Sequence, residues 1–110
     1  MLSKPERLTK GREFQDVLRK GKKVYGRMVV VRYKKMPANK IGFVVSTKVA
    51  KNATDRNRIK RLMREVVRRE LLVRMNGCWV VVIAKSDIVD KDYHQIKREL
   101  EWCFKKGGII

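Results

Sequence analysis

The side chains best suited to chemistry in this sequence are the arginines and lysines between positions 56 and 74. This segment holds eight basic residues against two acidic ones, Glu65 and Glu70. An arginine grips a phosphate through two parallel hydrogen bonds and also stacks on bases. Because two carboxylates cannot balance eight cations, the segment predicts a surface that binds a polyanion.

The spacing of residues in this segment predicts a helix that packs on a sheet. Apolar residues recur at intervals of three and four, the period of a helix with one buried face: Ile59, Leu62, Met63, Val66, Val67 and Leu71. Four basic residues share a second face: Arg56, Lys60, Arg64 and Arg68. Helix-starting side chains precede the segment, at Asn52, Thr54 and Asp55. The helix is expected to end at Val73 or Arg74, before Asn76-Gly77.

The charge of the whole chain points to the same class of partner. Its 29 Lys and Arg and 11 Asp and Glu give a net charge of +18, of which residues 1–74 carry +17. Such a field attracts nucleic acid, an anionic membrane surface or an acidic protein, and exceeds what solubility requires. The N-terminus has no apolar signal core, and the longest apolar run, Cys78 to Ala84, is too short to cross a bilayer. We therefore expect a cytoplasmic protein that binds nucleic acid, with RNA favoured.

The sequence offers little for catalysis by the protein itself. The one histidine, His94, lies off the apolar face of its predicted helix, and the cysteines lack a metal-ligand spacing. Three acidic residues close in sequence suggest a metal site, but helix capping explains the last two better: Asp87, Asp90 and Asp92.

The remaining elements complete one α+β domain over residues 1–110. Residues 1–9 are expected to form an extended arm, and residues 10–20 a short helix capped by Thr9 and ended by Gly21. Strands are expected over 24–35 and 41–47, joined as an antiparallel hairpin, and over 79–84, which is the most apolar and therefore central. A final helix follows Asp90 or Asp92.

The first predicted strand has a second feature that suggests nucleic-acid binding. Alternation places apolar and basic side chains on one of its faces: Met28, Val30, Arg32 and Lys34. A mixed face of this kind is typical of sheets that bind single strands.

The string Arg56-Asn57-Arg58-Ile59-Lys60-Arg61-Leu62 resembles the signature of the protein subunit of bacterial ribonuclease P. Blocks on both sides extend the resemblance in the right order over nearly the whole chain: Arg7-Leu8, Glu13-Phe14-Gln15, Gly42 to Ser46, and Val81 to Lys85. The resemblance implies a ribosomal-protein-like α/β sandwich in the order αβββαβα. It also implies a left-handed crossover through the basic helix, where general rules favour the right hand.

The resemblance implies a non-catalytic subunit of an endoribonuclease. In that family the protein, as a monomer, joins a large catalytic RNA, and the complex hydrolyses precursor tRNA to release its 5′ leader. The RNA binds the catalytic Mg²⁺ and carries the chemistry, while the protein binds the leader in a cleft between the first helix and the sheet.

Family roles transfer to two sets of positions. Those expected to contact the catalytic RNA are Arg56, Asn57, Arg58, Lys60, Arg61, Arg64 and Arg68. Those expected to line the leader cleft are Phe14, Leu18, Arg27, Arg32 and Lys48. At Leu18 and Arg32 some family members carry an aromatic residue, so Leu18 lacks a stacking ring and Arg32 is assigned to phosphate.

Two other functions fit the charge without the signature. A structural RNA-binding protein, such as a ribosomal one, requires only the charge and the fold. A DNA-binding module would insert the basic helix into a major groove, but the apolar stripe of that helix requires burial.

Overall fold

A computed structural model describes residues 6–8 and 11–110. The strands are β1 (Lys22–Tyr25), β2 (Val29–Lys35), β3 (Lys40–Val44) and β4 (Cys78–Ala84), and the helices are α1 (Arg12–Lys20), α2 (Ala53–Val66) and α3 (Tyr93–Lys106). The α+β class agrees with the sequence prediction, and the order αβββαβα is the one that the family resemblance implies. Within the described residues, no helix is long and apolar enough to span a membrane.

The four strands form one sheet in the order β1-β2-β4-β3. Strand β4 is central, as predicted, antiparallel to β2 and parallel to β3. The antiparallel hairpin predicted between residues 24–35 and 41–47 is wrong, because β4 lies between β2 and β3. Both faces of β4 carry buried valines. A central position between β2 and β3 buries more of this apolar surface than an edge position would, and is therefore favoured.

The hairpin of this protein lies earlier in the chain. The single strand predicted over residues 24–35 is two antiparallel strands, β1 and β2, joined by a tight turn. In that turn the Gly26 N–H donates to the Val29 carbonyl at 2.8 Å. Helix α2 connects the parallel strands β3 and β4, so these three elements form a crossover. Its left-handedness, which the family resemblance implies, stays a prediction.

Helices α2 and α3 cover one face of the sheet. The apolar stripe predicted for the basic helix is buried there, with Ile59, Met63, Val66, Val67 and Leu71 fully inaccessible to solvent. After Val66 the helical chain continues through a π-helical turn (Val67–Leu71) and a 3-10 turn (Leu72–Arg74). The helical segment therefore ends at Arg74, as the sequence predicted.

The chain before α1 follows the outer edge of β3. The Leu8 N–H donates to the Ile41 carbonyl at 2.9 Å, and the Leu8 side chain is buried. The rest of the predicted arm, and Thr9 as the predicted cap, lie outside the described residues. The residue that caps α1 is Gly11, with a φ of 87° and no side-chain hydrogen bond, while Gly21 ends the helix as expected.

Helix α3 begins with a capping box. The Asp92 carboxylate accepts from the Gln95 N–H at 2.9 Å, and the Gln95 side chain accepts from the Asp92 N–H at 3.0 Å. The predicted cap is thus confirmed for Asp92 and wrong for Asp90, which pairs with Lys91 instead.

Loss of this cap has a measurable cost. We expect Asp92→Ala to lower the free energy of unfolding by about 1 kcal/mol, because the Gln95 N–H loses its acceptor. Urea denaturation followed by circular dichroism measures the change. Asp90→Ala is the control and should stay within about 0.5 kcal/mol of the parent. Equal losses in the two variants would contradict the assignment of the cap.

Candidate nucleic-acid interface

The face of the sheet opposite α2 and α3 consists of three rows of side chains. Strand register places in one row, called here the platform row, Tyr25, Val30, Ile83 and Val44. The middle row contains Lys23, Arg32, Val81 and Gly42, and the third contains Lys34, Trp79 and Lys40. The predicted alternation is confirmed for β2, except that Met28 precedes the strand.

Helix α1 lies over the middle row. Val17 is fully buried in a cluster with Val81 and Leu8. The Phe14 ring lies directly over Gly42, since a Cβ atom there would be 2.6 Å from the Phe14 Cε2 atom. The absence of a side chain at Gly42 therefore lets the ring rest on the strand.

Ion pairs hold α1 toward the third row. The Lys40 Nζ atom lies 2.7 Å from the Glu13 carboxylate, and Lys34 pairs with Asp16. The hydrogen bond from Lys34 is the main cause of a lowered pKa at Asp16, against a smaller opposing effect of desolvation. With α1 held on this side, the platform row stays open along its other side.

Arg32, on strand β2, binds the C-terminal end of α1. Its Nη2 atom donates to the carbonyl oxygens of Leu18 and Gly21 at the end of the helix. Its Nε atom is buried, with no hydrogen-bond partner among the described residues. The guanidinium predicted to bind leader phosphate is thus already engaged in fixing the helix to the sheet.

A groove separates α1 from α2 along strand β3. It has a volume of about 400 Å³ and is lined by Gly11, Phe14, Gln15, Phe43, Val44, Val45 and Lys60. Arg64 lines the adjoining cavity and lies over the Phe43 ring, 6.0 Å from its centroid. We call the whole the α1–α2 groove. It brings Phe14, from the predicted leader cleft, together with Lys60 and Arg64, which were predicted to contact catalytic RNA.

The other cations predicted on α2 differ in how far they are already occupied. Arg56 donates to the carbonyl of Lys51 at 2.7 Å, and Arg58 to that of Val89 at 2.6 Å. Both side chains therefore anchor α2 to neighbouring loops through part of their hydrogen-bonding capacity.

Arg68 is paired within its own helix. It donates two hydrogen bonds to Glu65, at 2.9 and 3.2 Å, which lower the pKa of Glu65 and raise that of Arg68. By contrast, Asn57 and Arg61 are exposed, and neither has a hydrogen bond or ion pair with any described residue. The outward face of α2 available to a ligand is thus Asn57 and Arg61, beside the groove wall of Lys60 and Arg64.

Three residues predicted for the leader cleft lie away from the α1–α2 groove or at its margin. Leu18 is half-buried one turn along α1 from Phe14. Lys48 is exposed in the loop before α2. Arg27 is exposed in the β1–β2 turn, at the opposite edge of the sheet from β3. The structure therefore does not bring Arg27 together with Phe14.

The acidic residues do not fit a protein-borne magnesium site. Among the described residues, no group of three or more His, Cys, Asp or Glu side chains is placed to hold a metal ion. Two of the three aspartates that suggested a metal site have other roles: Asp92 caps α3, and Asp90 pairs with Lys91. Cys78 and Cys103 are buried free thiols, and burial raises the pKa of Cys103 to about 12.

Several residues of this surface were missed by the sequence prediction. Phe43, Val44 and Ile83 were read only as strand residues, and Tyr25 was not singled out. The signal available in the sequence was the alternation of side chains between the two faces of each strand. The face that each occupies could be assigned only once the neighbours of β4 were known.

Comparison with known proteins decides the family. A family model described as Ribonuclease P matches residues 2–108. The chain belongs to the ribonuclease P protein family. The ribonuclease P protein component of Clostridium botulinum is 39% identical over 109 residues, covering 96% of this chain and 97% of that protein.

Solved structures of ribonuclease P proteins share the fold. The Staphylococcus aureus RNase P protein is 30% identical with a TM-score of 0.85, covering 94% of this chain and 96% of that one. The Thermotoga maritima RNase P protein is 31% identical with a TM-score of 0.81, covering 92% and 96%. Membership of the ribonuclease P family assigns the chain a role in an endoribonuclease complex, and the family resemblance drawn from Arg56 to Leu62 is confirmed.

The contact of Phe14 with Gly42 gives a prediction about the groove. We expect Gly42→Ala to displace the Phe14 ring and to weaken any ligand that the ring binds. The test ligand is precursor tRNA bound by the complex of this chain with a bacterial ribonuclease P RNA. Adding Gly42→Ala to Phe14→Ala should cost no further affinity, since the substitution acts through the ring. Additive losses would contradict this coupling.

Proposed function

We propose that this chain is the non-catalytic subunit of ribonuclease P and binds two RNA ligands through adjoining surfaces. The observation that carries the proposal is the α1–α2 groove, where Phe14 faces Lys60 and Arg64 across one cavity. An aromatic ring beside two cations suits a single strand, since bases stack on the ring while phosphates approach the charges.

The catalytic RNA is the proposed ligand of the outward face of α2. Exposed Asn57 and Arg61 are free to bind phosphate and sugar, and Lys48 adds charge in the loop before the helix. In this proposal Arg56 and Arg58 hold the first turn in place and use their remaining N–H groups on RNA. Arg68, paired with Glu65, contributes least.

The 5′ leader of precursor tRNA is the proposed ligand of the groove and the platform row. Phe14 supplies a stacking ring, and Lys60 and Arg64 neutralise phosphates. The half-buried aliphatic side chains of Val30, Ile83 and Val44 offer an apolar floor without hydrogen-bonding groups. Such a floor discriminates weakly between bases, which suits leaders of varied sequence.

The chemistry of leader removal is assigned to the RNA subunit. Mg²⁺ held by that RNA would supply an activated water for hydrolysis. The residues of this chain bind and orient the substrate. We propose that one copy joins each catalytic RNA, and that the complex acts in the cytoplasm where tRNA is processed.

Leader dependence of binding tests the proposal. The affinity of a bacterial ribonuclease P RNA for precursor tRNA and for the same tRNA without its leader is measured with and without this chain. We expect the protein to raise affinity for the precursor and to leave that for the leaderless tRNA nearly unchanged. An equal gain for both ligands would overturn the assignment of the groove to the leader.

A further inference from the structure

Two aromatic residues are exposed together at the β1 edge of the sheet. Tyr25 is 64% exposed and Trp102 is 51% exposed. Both line a cavity of about 360 Å³, together with Gly26, Arg27 and Glu99. Burying large aromatic rings is favourable, so their shared exposure marks a surface open to a ligand.

This cavity continues the platform row. Tyr25 is the β1 member of that row, which runs across four strands to Val44 beside the α1–α2 groove. Three strand spacings of about 4.8 Å make the row about 14 Å long. A single strand that leaves Phe14 along the row therefore reaches Tyr25 at the β1 edge. The cavity shared by Tyr25 and Trp102 then leads around that edge to α3.

The charges around the two rings favour a nucleic acid over a protein ligand. The Lys23 Nζ atom lies 5.9 Å from the Tyr25 ring centroid, and the Lys106 Nζ atom 5.3 Å from that of Trp102. Arg27 lines the same cavity. Stacking rings flanked by cations are the usual components of a single-strand site.

The one acidic group in the cavity is committed to the fold. The Glu99 carboxylate accepts a hydrogen bond from the Met28 N–H at 2.8 Å. It therefore fixes the β1–β2 turn that presents Tyr25 and Arg27. Its single negative charge is outnumbered by the surrounding cations Lys23, Arg27, Lys85 and Lys106.

We propose that Tyr25 and Trp102, with Arg27 and Lys106, form a second stacking site for single-stranded RNA, which takes the part of the leader distant from the cleavage site. The inference rests on the proposed function, because the direction in which the leader runs is set by the catalytic RNA proposed to bind α2. The groove beside Lys60 and Arg64 adjoins the face proposed for catalytic RNA, so nucleotides near the cleavage site lie at Phe14. The β1 edge is reached only by longer leaders.

Leader length tests this order. Complexes with a bacterial ribonuclease P RNA are assayed for binding to precursors with leaders of about three and about ten nucleotides. At a stacked spacing of about 3.4 Å per nucleotide, the first is shorter than the row and the second is longer. We expect Trp102→Ala to weaken binding of the long-leader precursor by at least about fivefold, the lower end for loss of one stacked base. The short-leader precursor should bind the variant as it binds the parent. An equal loss for both lengths would overturn the proposed order.

A conservative variant and a matched control separate stacking from folding. Trp102→Phe keeps a ring and should retain most of the long-leader affinity. Val73→Ala removes another exposed apolar side chain, 87% exposed, which does not line the cavity, and should change neither affinity. If Trp102→Ala binds both precursors normally while Phe14→Ala loses affinity, the second site is refuted and the proposed function stands. If both variants bind normally, the leader assignment fails as well.

Fluorescence gives a readout that needs no RNA subunit. We expect single-stranded oligonucleotides of about ten nucleotides to quench the tryptophan emission of the free protein, because a base stacks on Trp102. The Trp102→Phe variant retains only Trp79, which is half-buried under Lys40, and should show little quenching. Equal quenching in the two proteins would overturn the assignment of the stacked ring.

Discussion

Phe14→Ala should weaken binding of precursor tRNA by the reconstituted complex by about 5- to 150-fold, the range for losing one base stacked on an aromatic side chain. Affinity for leaderless tRNA and for the catalytic RNA should hardly change. The reason is the position of the ring, which rests on Gly42 and faces the groove rather than the outward surface of α2. Equilibrium binding with labelled precursor measures the effect.

Two further substitutions at Phe14 separate stacking from packing. Phe14→Leu keeps most of the apolar contact with the cluster around Val17 and should preserve stability, yet lose leader affinity nearly as Phe14→Ala does. Phe14→Tyr keeps the ring and should bind as the parent. Normal leader binding by Phe14→Leu would show that the ring serves only as packing.

Arg61→Ala should weaken binding of the catalytic RNA by about tenfold, the lower end for loss of a charge-assisted hydrogen bond. Arg61 is exposed and has no partner among the described residues, so its removal should leave the free energy of unfolding unchanged. The slope of log affinity against log salt should fall by about 0.7 to 0.9, which is the share of one phosphate. Titrations at several salt concentrations measure both quantities.

Two comparisons make the result for Arg61 specific. Lys105→Ala removes the same charge from an exposed position near the end of α3 and should change affinity for the catalytic RNA little. Arg58→Ala should reduce both RNA affinity and stability, because Arg58 also donates to the Val89 carbonyl. A loss of stability in Arg61→Ala comparable to that in Arg58→Ala would contradict the division between anchoring and exposed cations.

The parts of the fold that the sequence predicted are those governed by local periodicity. The apolar stripe from Ile59 to Leu71 fixed α2 and its buried face, and the continuous apolar run of β4 fixed its central position. Strand pairing was harder, because partners in a sheet are chosen by contacts distant in sequence. The short link between β2 and β3 suggested a hairpin, yet burial of both faces of β4 favours its position between them.

The site shows the same limit at the level of side chains. Composition identified the cations of α2, and the resemblance divided them from the leader cleft. Neither could reveal that Arg56 and Arg58 bind loop carbonyls, that Arg32 holds the end of α1, or that Arg27 lies at the far edge beside Trp102. Those roles depend on loops and strands brought together only by the folded chain.

Reconstitution with a bacterial ribonuclease P RNA at low magnesium is the decisive test of the proposed function. Cleavage of a precursor tRNA is followed with the RNA alone and with the RNA plus this chain, and the product ends are mapped. We expect the chain to accelerate release of the intact 5′ leader and to leave the mature 5′ end, and we expect the chain alone to cleave nothing. An unchanged rate with the folded protein, or cleavage by the protein without RNA, would contradict the proposed function.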